Sequence, residues 1–231
     1  MFNIPKALRT IFRTLTFRAK REELKENVAA RLVTALVITW IVGIGRWWDD
    51  PRDLPFFVRM GVGSVLYVFG MAAILWATFA PLVSERLGAH HFVAFVASTS
   101  LPGLVYAVPI ERWTDMDTAA TYNVFALLFV SVYRVSLLIW FCLRINKLNW
   151  TESMVVTFLP ISVIAFSLTA LGHAASVMDI MGGLRDRMSK SDMEMIVGLI
   201  GCLSVVCGPV LLLIYIAMAG QVRYMRKKLD S

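Results

Sequence analysis

Arg134 is the only charged residue predicted to lie deep inside a long apolar stretch, where its charge could contact a substrate or lipid headgroup or line a polar path. Its neighbours in the chain are Val132, Tyr133 and Val135. An ionisable side chain at membrane depth is costly and therefore counts as a functional candidate. A long side chain can also raise its charged end toward the membrane surface while its methylene groups stay in lipid. Two roles remain open for Arg134, a structural hydrogen-bonding hub or a contact with a substrate or lipid headgroup.

Three consecutive hydroxyl residues in another apolar stretch, Ser98, Thr99 and Ser100, are candidate partners for Arg134. Pro102 follows them and cannot donate a hydrogen bond to the carbonyl of Ser98 four residues earlier. In hydrocarbon, a freed backbone carbonyl needs a donor from a side chain, a neighbouring helix or water. We therefore predict a kinked or broken helix here, and an intramembrane polar site formed by these hydroxyl residues and Arg134.

A second candidate is a polar and aromatic segment between the first two apolar stretches. Adjacent carboxylates there could bind a divalent cation or pair with flanking arginines, while tryptophans are typical of membrane interfaces. General acid–base catalysis would also need a second group and a dry cleft. We expect interfacial tryptophans followed by a salt-bridged turn. The candidate contact residues in this outer loop are Arg46, Trp47, Trp48, Asp49, Asp50 and Arg52.

The adjacent histidines His90 and His91 could ligate a metal only if their rings faced the same point. Neighbouring positions on a helix point about 100° apart, and no cysteine or carboxylate follows at ligand spacing. The chain also contains no nucleophile elbow, HExxH motif, phosphate loop or dinucleotide fingerprint. We predict no metal site, no cofactor and no enzymatic activity.

The elements that must position these residues are apolar and helical. Of the 231 residues, 58% are apolar and 17% charged, whereas a soluble domain is about 45–50% apolar and a quarter charged. Apolar blocks of this length cross about 30 Å of hydrocarbon only as helices. We predict an all-α polytopic transmembrane bundle of about six spans over residues 28–220; a re-entrant third block would leave five. The blocks are 28–45, 61–83, 92–108, 122–143, 154–171 and 195–220.

Residues 1–27 form a basic segment ahead of the bundle. Leu8, Ile11, Phe12 and Leu15 recur at helical spacing and make one apolar stripe. Such a short amphipathic helix is expected to lie at the membrane interface, where anionic lipid headgroups attract it. The alternative is a helix packed on its own bundle through the same stripe. The segment lacks the apolar core of a signal peptide.

The basic residues predict the orientation of the bundle. The net charge is +7, and basic residues beside spans explain it better than nucleic-acid binding, for which no motif is present. With a cytoplasmic amino terminus, 15 of the 23 Lys and Arg residues lie on the cytoplasmic side and 7 outside. We expect both termini in the cytoplasm, residues 221–231 as a basic tail, and a bacterial inner membrane as the location.

Three stretches carry a resemblance to a known family: GVGSVLYVF at 61–69, the run from Phe92 through Pro102 to Tyr106, and TFLP at 157–160. They resemble the polytopic Yip-type membrane proteins, named for interacting with small Rab GTPases, and their bacterial relatives. The resemblance implies a compact bundle without catalytic machinery and a role in membrane organisation or partner recruitment. Six predicted spans, rather than about five, and the lack of an extended cytoplasmic domain depart from that pattern.

Two functions follow as hypotheses. The first is a non-enzymatic scaffold or accessory subunit whose partners are other membrane proteins or further copies of itself. The alternative is a small transporter or channel with a polar path near Pro102 and Arg134.

Overall fold

The computed structural model describes residues 3–45, 56, 60–82, 87–108, 110, 113–172 and 190–229. All regular structure in these ranges is helical, so the predicted all-α fold is confirmed. A 3₁₀ segment, Leu101–Ala107, follows the fifth helix, and a π-helical turn, Phe141–Ile145, extends the sixth. The helices are α1 (Ile4–Leu15), α2 (Arg21–Lys25), α3 (Val28–Gly45), α4 (Val62–Phe79), α5 (Ala89–Ser98), α6 (Met116–Trp140), α7 (Trp150–Ala170) and α8 (Lys190–Leu229).

Four of the described helices are long and apolar enough to cross a membrane. The first and third predicted blocks form shorter apolar helical stretches. These are Val28–Ile44, and Ala89–Val105, which comprises α5 and most of the 3₁₀ segment. The chain therefore has the helical segments of a membrane protein. The four long segments are Val62–Phe79, Phe125–Ile145, Trp150–Ala170 and Gly201–Met225.

Polar caps set where α6 and α7 begin. The Asp115 carboxylate accepts a hydrogen bond from the backbone N–H of Thr118 at 3.0 Å. At α7, the Asn149 side chain accepts from the Glu152 N–H, and the Glu152 carboxylate accepts from the Asn149 N–H, both at 2.8 Å. These bonds satisfy N–H groups that have no partner within the first helical turn.

Helices α3 and α5 pack side by side and run in the same direction. Thr39, late in α3, contacts the carbonyl of Ala97 near the end of α5. Arg31, early in α3, lies close enough to His91 at the start of α5 to act on its charge. Helix α4 returns between them and contacts both.

Aromatic rings join the helix ends at one end of the bundle. Phe79 ends α4, and its ring centroid lies 5.2 Å from that of Phe92 at the start of α5. Phe141, just after α6, stacks on Phe95 with a centroid distance of 4.1 Å. We call this the basal end: it holds the starts of α3 and α5 and the ends of α4 and α6.

Helix α8 packs mainly along α7. At the end far from the basal end, a side chain on Gly201 would meet the methyl group of Thr169 at 2.9 Å, so the two helices touch closely there. Toward the basal end, the Tyr215 hydroxyl donates to the carbonyl of Thr78 at 2.9 Å. Helix α8 therefore runs toward the basal end, where α1 and α2 also lie.

Helix α1 packs against α3, and its predicted apolar stripe divides between two environments. Ile11 and Leu15 are buried in the bundle, whereas Leu8 and Phe12 are exposed, Phe12 at 66%. The Tyr133 hydroxyl of α6 donates to the Leu15 carbonyl and ties the helix to the bundle. Helix α1 is thus packed on its own bundle, which was the alternative to a helix lying free at the membrane interface. Part of its apolar surface remains exposed.

Candidate functional site

The predicted break in the helix of the third block is confirmed, and Arg134 donates a hydrogen bond to a backbone carbonyl at the break. Helix α5 ends at Ser98. Beyond it, the N–H of Gly103 donates to the Ser100 carbonyl at 2.9 Å instead of reaching the Thr99 carbonyl one turn away. The Nε of Arg134 donates to that Thr99 carbonyl at 3.0 Å. Arg134 therefore contacts the predicted segment at the backbone carbonyl of Thr99. The predicted partners were the three hydroxyl residues or the Ser98 carbonyl freed by Pro102.

The hydroxyls of Ser98 and Thr99 donate hydrogen bonds to backbone carbonyls of their own helix, α5. Ser98 donates to the Ala94 carbonyl at 2.6 Å, and Thr99 donates to the Val96 carbonyl at 2.7 Å. Both side chains are buried. A hydroxyl that bonds its own backbone satisfies itself inside an apolar bundle. These groups are therefore part of the helix end rather than groups facing an open path.

Sequence reasoning missed Thr39, which completes the site. Its Oγ1 lies 3.2 Å from the Ala97 carbonyl and 3.0 Å from the Ser100 hydroxyl. The available signal was that Thr39 is one of only two hydroxyl residues in the first apolar block. We call the set Thr39, Ser98, Thr99, Ser100 and Arg134 the polar junction; it joins α3, α5 and α6.

The second predicted site, in the segment that follows α3, lies outside the described residues. It comprises Arg46, Trp47, Trp48, Asp49, Asp50 and Arg52.

A buried cation near the basal end was also missed by sequence reasoning. Arg31 is only 2% exposed, and its Nε and Nη1 have no hydrogen-bond partner among the described residues. The two ring nitrogens of His91 are likewise buried without a partner in that part of the chain. Burial, together with the nearby charges of His90, Arg31 and Lys25, lowers the pKa of His91 to about 4.

The rings of His90 and His91 lie together, contrary to the expectation that adjacent side chains point apart. Their centroids are 4.2 Å apart and the planes are tilted by 39°. Gly88 makes room for this arrangement, because a side chain there would meet the His90 ring at 2.7 Å. The side-chain torsions therefore overcome the angular separation of the two Cα–Cβ bonds.

A basic cleft opens beside α2. Its volume is about 470 Å³. It joins two chain segments that are more than a hundred residues apart, residues 19–25 and 144–147, so the sequence alone did not reveal it. The acidic residues Glu23 and Glu26 pair instead with Arg13 and Lys6 of α1. The basic cleft is lined by Ala19, Lys20, Arg21, Glu22, Lys25, Arg144, Ile145 and Lys147.

The described residues offer little for covalent or metal chemistry. Within them, no three His, Cys, Asp or Glu side chains come close enough to hold a metal ion. The Cys142 thiol is buried, 3.8 Å from the Thr157 hydroxyl. The chain matches no protein-family model, no curated protein and no solved structure.

Proposed function

We propose that the chain is a non-enzymatic integral membrane protein that acts as a scaffold or accessory subunit and binds other membrane proteins, or a second copy of itself, through α8. It crosses the membrane six times, with both termini in the cytoplasm of a bacterial cell. One observation carries the proposal. Only 6% of the most apolar part of α8 is buried, against 22–33% for the other three long helices, so α8 stands at the periphery with most of its surface open.

The open surface of α8 has the pattern of a helix-packing seam. Leu203, Val206, Val210 and Leu213 are all exposed and recur at spacings of three and four residues. Such a heptad repeat lets a second helix pack along one line. In lipid, helices associate through close packing rather than through the hydrophobic effect. The seam lies within a wider exposed apolar surface that also includes Val205, Leu212 and Ile214, and it is the line along which we propose that the partner helix packs.

The seam lies on the side of α8 opposite α7. The residues of α8 that are covered there are Gly201 and Ser204, both buried, and Gly208, which is partly buried. They follow the same three-and-four spacing but on the other face. Packing on α7 thus leaves the seam available to another membrane protein.

The polar junction supports a structural role over transport. Arg134 and the hydroxyls of Ser98 and Thr99 bond to backbone carbonyls. Groups that close a helix break are not available to replace the water shell of a passing solute. The scaffold role is also the one that the Yip-type resemblance implies.

The amino-terminal segment is proposed to contact the cytoplasmic leaflet. Leu8 and Phe12 expose apolar surface on α1, while Arg9 is exposed between them. Exposed apolar residues with neighbouring cations are typical of helices that bind anionic lipid.

Copurification from a mild detergent tests the proposed function. The full-length chain, tagged at its carboxyl terminus, is compared with the seam variant Val206→Trp/Leu213→Trp. The matched control is Val205→Trp/Leu212→Trp, which changes exposed residues of the same two types away from the seam. We expect the seam variant to recover about five times less partner or cross-linked dimer, and the control to behave as wild type. A wild-type chain that is always recovered alone as a monomer contradicts the proposal.

A further inference from the structure

The lining of the basic cleft has a formal excess of positive charge. Five of its lining residues are cationic and one, Glu22, is a carboxylate. The neighbouring carboxylates do not compensate, because Glu23 contacts Arg13 at 2.9 Å and Glu26 contacts Lys6. Glu23 and Glu26 thus hold α1 in place, and the lining of the basic cleft keeps its formal excess of positive charge.

One further cation, Arg31, lies near this charge. Lys25 lines the basic cleft and is also close enough to His91 to lower the pKa of its ring. Arg31, which acts on the same ring, is buried with two nitrogens that have no partner among the described residues. Burying a cation without a counter-charge is unfavourable. A bound anion at this end of the bundle would relieve that cost.

The surroundings of the basic cleft place it at the depth of lipid headgroups. Lys147 lies three residues before Trp150, which begins α7 and is exposed. Exposed tryptophans at helix ends sit at the level where hydrocarbon meets water. Phe12 of α1 presents a second exposed aromatic ring at this end of the bundle. A cleft at this end of the bundle would open toward the phosphate layer of the membrane.

We propose that the basic cleft binds the phosphate-bearing headgroup of an anionic phospholipid, held between the α2 segment and the turn that joins α6 to α7. The proposal rests on the proposed membrane insertion. The volume of about 470 Å³ is in the range of small-molecule sites, about 300–1,000 Å³. Arginine and lysine are the side chains that bind phosphate oxygens most strongly. The lipid would join the amino-terminal segment to the bundle.

Lipid binding by the full-length chain in detergent tests this, measured by native mass spectrometry with phosphatidylglycerol, and with phosphatidylcholine as the zwitterionic comparison. Arg144→Gln/Lys147→Gln removes two cations from the basic cleft. Arg223→Gln/Lys228→Gln removes two cations from the end of α8 and is the matched control. At about 1 kcal/mol per cation, the affinity of the cleft variant for phosphatidylglycerol should fall about 30-fold. The control should stay within about threefold of wild type.

A second variant, Lys147→Gly, guards against misfolding. Lys147 has a φ of +56°, a left-handed conformation that glycine adopts without strain. This variant therefore removes a cleft charge while preserving the backbone, and it should still lose about fivefold in affinity.

Three results would overturn the proposal: equal losses in the cleft and control variants, no loss in either cleft variant, or displacement of the lipid by soluble glycerol phosphate at the same concentration. The last would assign the site to a soluble phosphate compound instead of a lipid. Neither cleft variant changes α8, so copurification through the seam reports on the scaffold function separately.

Discussion

Arg134 joins a charged side chain to a backbone carbonyl that the helix itself cannot satisfy. The Thr99 carbonyl loses its helical donor because the chain turns toward the 3₁₀ segment. A neutral donor would fill the gap, but a guanidinium makes a stronger hydrogen bond. Its Nε reaches the carbonyl from α6, so the same residue also fastens α6 to the broken helix.

Replacing Arg134 with leucine should therefore destabilise the bundle. We expect the free energy of unfolding to fall by about 1.5–3 kcal/mol, the usual range for a hydrogen bond from a charged group. Unfolding in detergent against a denaturant gradient measures it. Ser136→Ala is the control: Ser136 is exposed and bonds only the Val132 carbonyl of its own helix among the described contacts, and its effect should stay within about 0.5 kcal/mol.

The same variant separates the two functions. In liposomes, Arg134→Leu and wild type should show the same background flux, because the polar junction closes a helix and opens no path. Solute flux through wild type that the variant abolishes would contradict the scaffold function and favour the transporter alternative.

Single residues differed in how far the sequence could predict them. Pro102 indicates a break in its helix, and an isolated arginine at membrane depth needs a hydrogen-bond partner. The contact between Arg134 and the region of Thr99 was therefore predictable. The burial of Arg31 was not predictable. Arg31 was counted with the cytoplasmic cations of the amino-terminal segment, and nothing in the sequence indicated that packing of the helices would bury it. Burial of that kind depends on which helices become neighbours, and apolar periodicity does not carry this information.

At the scale of elements, α3 and α4 cross closely where two glycines meet. A side chain on Gly43 would lie 2.8 Å from the Ser64 hydroxyl. Gly61 has a φ of +72°, and a side chain there would lie 2.9 Å from the carbonyl oxygen of Trp40. Small residues let helix backbones approach in this way inside membranes. The crossing sets how α4 returns beside α3 and so how α5 comes to lie along α3.

Gly61→Ala should loosen this crossing. A left-handed backbone and a contact with backbone atoms both oppose the added methyl group, so we expect a loss of about 1–3 kcal/mol in the free energy of unfolding. Gly63→Ala is a close control, since nothing lies within 4 Å of its added Cβ and it sits inside α4. That change should be neutral or stabilise by about 0.5–1 kcal/mol. Equal effects of the two changes would contradict the close crossing.

The six apolar blocks all coincide with described helices, because length and apolar composition suffice to predict helices in lipid. Helix boundaries were less accurate. Helix α6 begins at Met116, six residues before the apolar block at 122, because the Asp115 cap starts it in a polar stretch. The five-residue α2 was not predicted at all, since it has too few apolar residues to show a period.

At the scale of the whole molecule, the parallel arrangement of α3 and α5 is consistent with six spans. The two helices start at the same end, which requires α4 to return across the bundle. Helix α8 runs to the basal end, where Tyr215 contacts Thr78. Both ends of the described chain therefore lie on the basal side of the bundle. The distribution of basic residues predicts that this side faces the cytoplasm.

Cysteine labelling in intact cells tests this orientation. Cys142, Cys202 and Cys207 are first replaced by alanine, and single cysteines are introduced as Lys20→Cys, Lys228→Cys or Trp113→Cys. All three positions are exposed, and Trp113 precedes α6 at the end opposite the basal end. In the proposed orientation, with the basal end in the cytoplasm and Trp113 outside, a membrane-impermeant maleimide should label only the Trp113→Cys chain. After permeabilisation all three chains should react.

The pattern of labelling also distinguishes the alternatives. If the third block entered and left the membrane on the same side, every later helix would be reversed, and Lys20→Cys and Lys228→Cys would react from opposite sides. That result would leave five spans and contradict the position of the end of α6, where Phe141 packs against Phe92 at the basal end. If both positions reacted in intact cells, the whole bundle would be inverted, and the basic cleft would face away from the leaflet whose anionic lipids it is proposed to bind.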